Sequence, residues 1–274
     1  MLQCRINFKV FYKMNKILAK KHFGQNFLKD ESVLTQIIQS IPKLQNTLEV
    51  IEIGAGLGDL TNKLLSLGSI TTYEVDKELV PYLKERFKQA LSMRALQLEV
   101  GDILQIWEKE NLREKPYFLI SNLPYYIATP LIIKAIKDSM CRGFLVMAQK
   151  EVALKFCADT GESDFSALSV LARSIGEAKL LFDVSPQSFN PPPKVTSSVF
   201  LLTKTKYEEK DFLEKLEKLL KIAFNMPRKT LFNNLAKSYE KAKILECLQK
   251  LGIGINKRPH EIDTFFYHQL LKFL

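Results

Sequence analysis

Short apolar runs alternate with helix-like runs through the middle of the chain. Seven runs rich in β-branched and other apolar residues predict strands at 47–53, 69–75, 95–100, 117–121, 143–149, 178–184 and 197–205. Apolar residues at helical spacing predict helices at 60–68, 77–91 and 130–139. Strands that alternate with helices are typical of parallel βαβ units with right-handed crossovers. The pattern therefore predicts an α/β fold built on a mostly parallel sheet.

The last two predicted strands differ from the others in the segment that joins them. Only residues 185–196, SPQSFNPPPKVT, lie between 178–184 and 197–205. This proline-rich connection is short for a crossover helix. We therefore expect these two strands to pair as an antiparallel hairpin at one side of the sheet.

Beyond Thr205 the pattern changes to helical spacing alone. Apolar residues recur at 212, 216, 219, 220 and 223, which predicts an amphipathic helix, and further helical patterns run to Leu274. The sequence thus predicts three parts. They are a basic, flexible N-terminal extension at 1–19, an α/β domain at 20–206 and a small all-helical domain at 207–274.

Composition allows a packed core and suggests a partner. Hydrophobic residues make up 46% of the 274 residues, and Lys and Arg outnumber Asp and Glu by 40 to 30. The basic excess lies at the two ends, since residues 1–29 carry seven basic residues and no acidic one. Basic ends suit a nucleic-acid partner, because neutralising phosphates releases counterions. Charge alone leaves a solvated, lysine-rich surface equally open.

The cysteines and histidines show no metal-ligand spacing. None of the four cysteines belongs to a C-x-x-C pair, so we expect neither a disulfide framework nor a metal site. Scattered thiols are typical of a reducing cytosol, which predicts a cytoplasmic protein. Because no apolar run approaches the ~18 residues of a membrane span, we expect none.

A glycine loop follows the first predicted strand. In EIGAGLGDL, Gly54, Gly56 and Gly58 allow the backbone to approach a ligand lying over the strand ends. The dinucleotide fingerprint G-x-G-x-x-G would place its third glycine at Asp59. A loop of the nucleotide-binding type is therefore predicted, and a pyrophosphate ligand is disfavoured.

Two acids stand at the ends of the next two strands. Glu74 lies 20 residues after Gly54, where a carboxylate can accept from both hydroxyls of a ribose, and Asp102 can accept from the amine of an adenine. Both acids would repel phosphates, so the pattern favours an adenosine ligand without them. S-adenosylmethionine fits that description. The alternative is that each acid only caps the helix that follows it.

The stretch SNLPYYIATP at 121–130 follows the fourth predicted strand. Since ligands of open α/β sheets bind at the carboxyl ends of strands, we expect Asn122 near the glycine loop and the two acids. Residues 122–125 fit the pattern of amino methyltransferases, which is Asn or Asp, a variable residue, Pro and an aromatic residue. The alternative is a simple Pro-Tyr turn into the helix at 130–139.

These residue types suit the activation of an adenine amine. The Asn122 side-chain oxygen and the Leu123 carbonyl can accept its two hydrogens, which turns the nitrogen lone pair towards a methyl sulfonium. Pro124 stiffens the turn, and the Tyr125 ring offers a stacking surface worth ~1–3 kcal/mol. An adenine inside a duplex cannot present this amine, so the base must be flipped out or unpaired.

The proline-rich segment before the last strand adds two candidates. Phe189 can close on the other face of the base, and Lys194 can reach a phosphate. The alternative is a hydrophobic plug followed by a rigid linker.

Together these segments resemble the KsgA/Dim family of ribosomal RNA adenine dimethyltransferases over residues 20–205. The motifs that carry the resemblance are KKHFGQNFLKD (20–30), EIGAGLGDLT (52–61), YEVD (73–76), VGD (100–102), NLPYYIATP (122–130), QKEVA (149–153), FSALSVLA (165–172) and FNPPPKVTSSV (189–199). They occur in the family's order. In the C-terminal region, AFNMPRKTLFNNL (223–235) resembles the family's basic RNA-contacting helix, with Arg228 and Lys229 as phosphate contacts.

The resemblance implies a Rossmann-like class I S-adenosylmethionine-dependent methyltransferase fold, with a mostly parallel seven-stranded sheet and a small all-helical C-terminal domain. It implies that residues 20–206 form the methyltransferase domain and 207–274 the RNA-binding domain. The implied cofactor-site residues are Asn26, Leu28, Gly54, Glu74, Asp102 and Asn122. The implied methyl donor is S-adenosylmethionine.

The implied reaction is the transfer of two methyl groups to N6 of each of two adjacent adenosines, in the hairpin loop near the 3′ end of 16S rRNA. The expected substrate is a 30S precursor particle, which ties the protein to ribosome biogenesis. We expect a monomer with no obligate protein partner. Two alternatives stay open: an Erm-type enzyme that methylates 23S rRNA, and a non-catalytic rRNA-binding factor for assembly or transcription on the same fold.

Overall fold

The computed structural model describes residues 20, 24–45, 47–108 and 111–274. The predicted extension at 1–19 lies outside the described residues. Contacts divide the described chain into two compact units: one runs to Lys150 and includes Leu181–Leu201, and the other comprises Glu151–Leu180 and Leu202–Leu274. The boundary near residue 207 followed the change in sequence pattern and stays a prediction.

The described residues form nine strands. They are β1 (Phe27–Leu28), β2 (Glu49–Ile53), β3 (Ile70–Glu74), β4 (Leu96–Val100), β5 (Tyr117–Asn122), β6 (Cys141–Gln149), β7 (Gly176–Val184), β8 (Phe189–Asn190) and β9 (Ser197–Lys204). Seven of them form one sheet in the order β4-β3-β2-β5-β6-β9-β7, and the first five strands of this order pair in parallel. The predicted α/β fold with a mostly parallel seven-stranded sheet is therefore confirmed.

The expected pairing of the last two long strands is also confirmed. Gly176, which begins β7, lies against Thr203 near the end of β9, because a Cβ at Gly176 would stand 2.0 Å from the Thr203 carbonyl oxygen. Near the other end of β7, Asp183 Oδ1 accepts a hydrogen bond from Ser198 Oγ at 2.6 Å. Contacts between opposite ends show that these strands run antiparallel. The order of the sheet adds that β9 lies between β6 and β7.

The described residues also form twelve α-helices. They are α1 (Glu31–Gln39), α2 (Asp59–Leu64), α3 (Val80–Arg86), α4 (Lys88–Ser92), α5 (Ile103–Ile106), α6 (Ala128–Lys137), α7 (Lys150–Cys157), α8 (Ala167–Ile175), α9 (Lys210–Ala223), α10 (Leu231–Leu235), α11 (Lys241–Lys250) and α12 (Thr264–Phe273). The helix predicted at 77–91 is divided into α3 and α4 at Phe87, whose φ of −109° and ψ of 22° leave the helical region. None of the described helices is long and apolar enough to cross a membrane.

The first unit packs helices on both faces of the parallel strands. In β2, four of the five residues are buried, which is typical of a central parallel strand covered on both sides. On one side, Leu34 and Ile37 of α1 join a core with strand residues such as Val50 and Ile70. Elsewhere in this unit, the ring of Trp107 meets the ring of Tyr117 edge-on at 6.4 Å.

A short second sheet ties two distant segments together in the first unit. Strand β1 pairs antiparallel with β8, with Leu28 opposite Phe189. The Lys29 amide donates to the Ser188 carbonyl at 2.8 Å, and Ser188 Oγ donates to Asp30 Oδ2 at 3.0 Å. This pairing fixes the described part of KKHFGQNFLKD (20–30), here called the N-terminal motif, beside the proline-rich segment at 185–196.

The second unit contains α9, whose apolar face follows the predicted spacing. Leu216, Leu219, Leu220 and Ala223 are buried as predicted, and Leu213 is buried in place of Phe212, which is half-buried. Within the same unit, Phe224 lies between the rings of Phe165 and Tyr267, at 6.3 Å and 5.6 Å.

Candidate active site

A cleft opens in the first unit where the parallel strands end. It encloses about 1120 Å³ of space free of protein atoms, including space open to solvent. Its walls come from the segment before and along β1, the glycine loop after β2, the end of β3, the turn after β4 and the turn after β5. The carboxyl ends of strands are where ligands bind in open α/β sheets, so the cleft is the candidate active site.

The glycine loop forms the floor of the cleft. Gly56 has a φ of +56°, and its amide donates to Glu74 Oε2 at 2.8 Å. Gly58 has a φ of +81° and begins α2, and a Cβ there would stand 2.5 Å from the Phe87 ring. Only glycine fits both conditions at Gly58, namely the left-handed backbone and the close aromatic neighbour. The conformation of the loop is thus fixed in part by its packing against the Phe87 ring.

Glu74 is buried at the end of β3, with 4% of its surface exposed. Its two oxygens accept hydrogen bonds from the backbone amides of Gly56 and Asp76, each at 2.8 Å. Burial raises the pKa of Glu74 above its ordinary value, and the two backbone hydrogen bonds oppose that rise. Because a carboxylate has about four acceptor positions, Glu74 keeps capacity for ligand hydroxyls while the backbone holds it still.

Asp102 lines the cleft after β4 and also caps a helix. Its Oδ1 accepts from the Leu104 amide at 2.9 Å at the start of α5. The capping interpretation is therefore correct for one oxygen. Among the described residues, none donates a hydrogen bond to Oδ2, which leaves that oxygen for a ligand.

The turn after β5 brings the predicted catalytic residues to the same cleft. Asn122 Nδ2 donates to the Asn26 carbonyl at 3.4 Å, so the amide is oriented by the N-terminal motif. Leu123 is buried, and its amide donates to the Met147 carbonyl at 3.1 Å. A Cβ at Gly54 would stand 3.7 Å from Pro124, which places the glycine loop directly against this turn.

Tyr125 is held by its hydroxyl. The phenol shares a 2.5 Å hydrogen bond with Ser197 Oγ at the start of β9. Burial raises the pKa of Tyr125, so it remains a neutral phenol at physiological pH. A fixed neutral ring on the cleft wall is suited to stacking against a base.

The N-terminal motif is hydrogen-bonded to Asp76, which follows the end of β3. Buried Asp76 accepts hydrogen bonds from Lys20 Nζ at 2.8 Å and from Gln25 Nε2 at 2.9 Å. Burial alone would raise the pKa of Asp76, but these hydrogen bonds hold it below its ordinary value. The structure thereby places Asn26 and Leu28 on the cleft, as the resemblance implied. The sequence interpretation missed Asp76, for which its place two residues after Glu74 was the available signal.

Four predicted site residues are not among those that line the cleft. Phe189 is 4% exposed, is paired with Leu28 in the short sheet and belongs to the core of the first unit. Lys194 is exposed in the loop between β8 and β9. Arg228 and Lys229 are exposed in the second unit. Their binding roles stay predictions.

One expectation about these basic residues is wrong. Residues 223–235 do not form one basic helix, because α9 ends at Ala223 and α10 begins at Leu231. Arg228 and Lys229 lie in the turn between them, since Pro227 interrupts the helical hydrogen bonds and Thr230 caps the new helix at Asn233 with a 3.2 Å bond.

The charge of the cleft fits a cationic adenosine ligand. Four acids line it, and no Lys or Arg of the described chain does; the acids are Glu52, Asp59, Glu74 and Asp102. Asp59 is already paired with Lys29 and Arg86, and burial raises the pKa of Glu52 to about 7. The negative charge that faces a ligand therefore comes from Glu74 and Asp102, which would repel phosphates and attract the positive sulfonium of S-adenosylmethionine. The free acceptor positions of Glu74 and Asp102 would suit hydrogen bonds from its ribose hydroxyls and its adenine amine. No group of three or more His, Cys, Asp or Glu side chains that could hold a metal occurs among the described residues.

Comparisons with known proteins show which family the chain belongs to. The family model "Ribosomal RNA adenine dimethylase" matches residues 16–274. A relative from Campylobacter jejuni, named ribosomal RNA small subunit methyltransferase A, is 51% identical over 252 residues, which cover 92% of this chain and 93% of the relative.

Two solved structures resemble the chain over most of its length. A dimethyladenosine transferase from Plasmodium falciparum has a TM-score of 0.73 and 28% identity, covering 90% of this chain and 97% of that one. The 23S rRNA methyltransferase ErmE has a TM-score of 0.68 at 22% identity, covering 91% and 99%, which is a likeness of fold alone. With its family model matched almost throughout, the chain belongs to the ribosomal RNA adenine dimethylase family.

Proposed function

We propose that this chain transfers two methyl groups from S-adenosylmethionine to N6 of each of two adjacent adenosines, in the hairpin loop near the 3′ end of 16S rRNA. The observation that carries the proposal is the turn at 122–125, which lines an acid-walled cleft in a ribosomal RNA adenine dimethylase. The small-subunit name of the 51% identical relative favours 16S rRNA over 23S rRNA.

The glycine loop and the two strand-end acids would hold the cofactor. S-adenosylmethionine supplies an activated methyl group on a positively charged sulfur. Glu74, fixed by two backbone amides, would accept from the ribose hydroxyls. Asp102 would accept from the adenine amine through Oδ2, while Oδ1 continues to cap α5.

The turn at 122–125 would hold the target base. Asn122 Nδ2 is engaged by the Asn26 carbonyl, so Oδ1 is the atom left to accept from the adenine amine. The Leu123 carbonyl would take the second hydrogen, and the Tyr125 ring would stack on the base. Since an amide cannot remove a proton at neutral pH, Asn122 contributes by positioning the amine rather than by general base catalysis.

The RNA would be bound by basic residues on both units. Lys194 belongs to the first unit, and Arg228 and Lys229 to the second. We propose a 30S precursor particle as the substrate, a monomeric enzyme and a cytoplasmic site of action, because ribosomal subunits are assembled there. A flipped or unpaired adenosine is required, since a paired amine cannot reach the cleft.

The deciding experiment compares purified 30S and 50S subunits that lack the modification. The protein is incubated with each and with radiolabelled S-adenosylmethionine, and mass spectrometry locates the label. We expect N6,N6-dimethyladenosine at two adjacent positions of the 16S 3′ hairpin.

The two alternatives predict other outcomes of the same experiment. Label confined to 23S rRNA would establish the Erm-type activity. Binding to the 30S particle without any label, in the presence of bound cofactor, would establish a non-catalytic factor. Either result would overturn the proposed reaction.

A further inference from the structure

Tyr126 stands apart from the other aromatic residues along the cleft. Among the described aromatic side chains that line it, Tyr126 alone is largely exposed, with 54% of its surface accessible. A large apolar ring left in solvent at the mouth of a binding cleft is a candidate contact for a ligand. The sequence alone assigns this residue no role.

The two neighbouring tyrosines have different partners. Tyr125 is fastened through its hydroxyl to Ser197. Tyr126 instead lies against Gly24 of the N-terminal motif, where an added Cβ would stand 3.1 Å from Tyr126 Cδ1 and 3.7 Å from Cε1. Gly24 has a φ of +58°, so glycine both permits the backbone turn and leaves room for the ring.

Tyr126 lies near Glu74 and Asp102, the two acids assigned to the cofactor. Burial raises the pKa of the Tyr126 phenol, and the negative charges of Asp102 and Glu74 raise it further. The ring is therefore within electrostatic reach of the two carboxylates assigned to adenine and ribose. Those carboxylates, the Tyr126 ring and Gly24 all line the same cleft.

We propose, resting on the cofactor of the proposed function, that Tyr126 packs over the adenosine end of bound S-adenosylmethionine and that Gly24 completes this cover. The pair would close the cofactor side of the cleft, while Tyr125 serves the target base. Tyr126 is then a cofactor-binding residue that controls affinity and exchange of S-adenosylmethionine and of S-adenosylhomocysteine.

The test measures cofactor binding to the full chain by titration calorimetry without RNA. Tyr126→Ala should weaken binding of S-adenosylmethionine by about fivefold to about 100-fold, the range expected for losing a stacked aromatic ring. Tyr126→Phe should bind within about twofold of the original protein, because the ring is kept. Unchanged affinity in Tyr126→Ala would overturn the proposal.

A second ligand locates the contact. The probe 5′-methylthioadenosine keeps the adenosine of the cofactor and lacks its amino-acid end. Tyr126→Ala should lower the affinity for both ligands by the same factor. If only the affinity for S-adenosylmethionine falls, Tyr126 contacts the amino-acid end and the proposed position is wrong.

Gly24 is tested by a double-mutant cycle. Gly24→Ala should weaken S-adenosylmethionine binding because its new methyl displaces the ring, and it should add less to the Tyr126→Ala variant than to the original protein. Full additivity would show that Gly24 acts independently of Tyr126. Tyr207→Ala is the matched control, since Tyr207 is 57% exposed and lies outside the cleft.

These outcomes are separate from those of the methylation assay. Calorimetry without RNA does not depend on which ribosomal subunit is methylated. An increase in KM for 30S particles with unchanged cofactor affinity in Tyr126→Ala would instead make the ring an RNA contact and overturn the inference, while leaving the proposed reaction intact.

Discussion

At the scale of single residues, the polar side chains of the site already make hydrogen bonds within the protein and keep at least one acceptor position free for the ligand. Asn122 uses Nδ2 on the Asn26 carbonyl, Glu74 uses one acceptor position of each oxygen on a backbone amide, and Asp102 uses Oδ1 on a helix. Each group is thereby held in place before any ligand arrives. Such preorganisation reduces what the ligand must order when it binds.

Asn122→Ala should lower the rate of methyl transfer by at least about 100-fold, because the amine loses the acceptor that directs its lone pair. RNA binding should change by less than about threefold, since the basic residues that contact the phosphates are kept. Single-turnover methylation of 30S particles measures the first effect, and filter binding measures the second. Asn122→Ala with full activity would show that the amide does not position the base.

Glu52 gives the first unit a pH-dependent stability. It is buried beneath the glycine loop, where Oε2 accepts from Thr61 Oγ1 at 2.6 Å and from Thr72 Oγ1 at 2.8 Å. Burial raises the pKa of Glu52 from 4.5 to about 7. The folded chain therefore binds more protons than the unfolded chain between these two values, and its free energy of unfolding falls as pH rises through that window.

Glu52→Gln should remove this decline, since the amide keeps an acceptor for both threonines and carries no charge. At pH 8 the variant should be more stable than the original protein by up to about 3 kcal/mol, and at pH 4.5 the two should be close. Urea denaturation followed by Trp107 fluorescence reports on this unit. Glu85→Gln, at an exposed position, is the control. If the free energy of unfolding of Glu52→Gln depended on pH as it does in the original protein, the assignment to Glu52 would be wrong.

At the scale of elements, the turn between α9 and α10 is held by one buried side chain. Asn234 of α10 accepts from the Met226 amide at 3.0 Å and donates to the Met226 carbonyl at 3.0 Å. It also donates to the Thr230 carbonyl at 3.2 Å. The segment that carries Arg228 and Lys229 is thus fixed by its own hydrogen bonds although it is not helical.

Arg228→Ala and Lys229→Ala should weaken RNA binding equally for all sequences, because phosphate contacts carry no base information. Each should reduce the slope of log affinity against log salt by roughly 1. The control is Lys215→Ala, whose ammonium is already paired with Asp211 at 2.6 Å. An unchanged slope in the double variant would remove this turn from the RNA interface.

Asn234→Ala tests whether the shape of the turn matters as well as its charge. RNA binding should weaken although no charge is removed, because the Met226 backbone loses both partners. Circular dichroism checks that the helices remain. Affinity equal to that of the original protein would show that the two charges suffice without the fixed turn.

At the scale of the whole molecule, cofactor binding should increase the free energy of unfolding. S-adenosylmethionine at 100 times its Kd should add about 2.7 kcal/mol to the free energy of unfolding reported by Trp107. Glu74→Ala at the same cofactor concentration should show a clearly smaller increase, since the ribose loses its acceptor. Thermal unfolding with and without cofactor measures both. Equal stabilisation of the two proteins would contradict the ribose role of Glu74.

The sequence by itself determined the order of the seven long strands and of the helices at 60–68, 77–91 and 130–139, whereas α1, α7 and α8 were not predicted. Apolar runs at period two or at helical spacing reflect local geometry, so β2 to β6 lie close to their predicted positions. The glycine loop, the two acids and the turn at 122–125 were also found from sequence. Each follows a strand, and the carboxyl ends of parallel strands necessarily meet at one edge of the sheet.

Only the tertiary structure decided which distant groups complete that edge. The pairing of β1 with β8, the fastening of Gln25 to Asp76 and the contact of Gly24 with Tyr126 join segments far apart in the chain. No local pattern encodes such contacts, because periodicity records which face of an element is buried and not what covers it. The same limit explains why the sequence did not show that Phe189 is buried opposite Leu28 in the short sheet. The strand-end residues were therefore predictable, whereas their partners were set by packing.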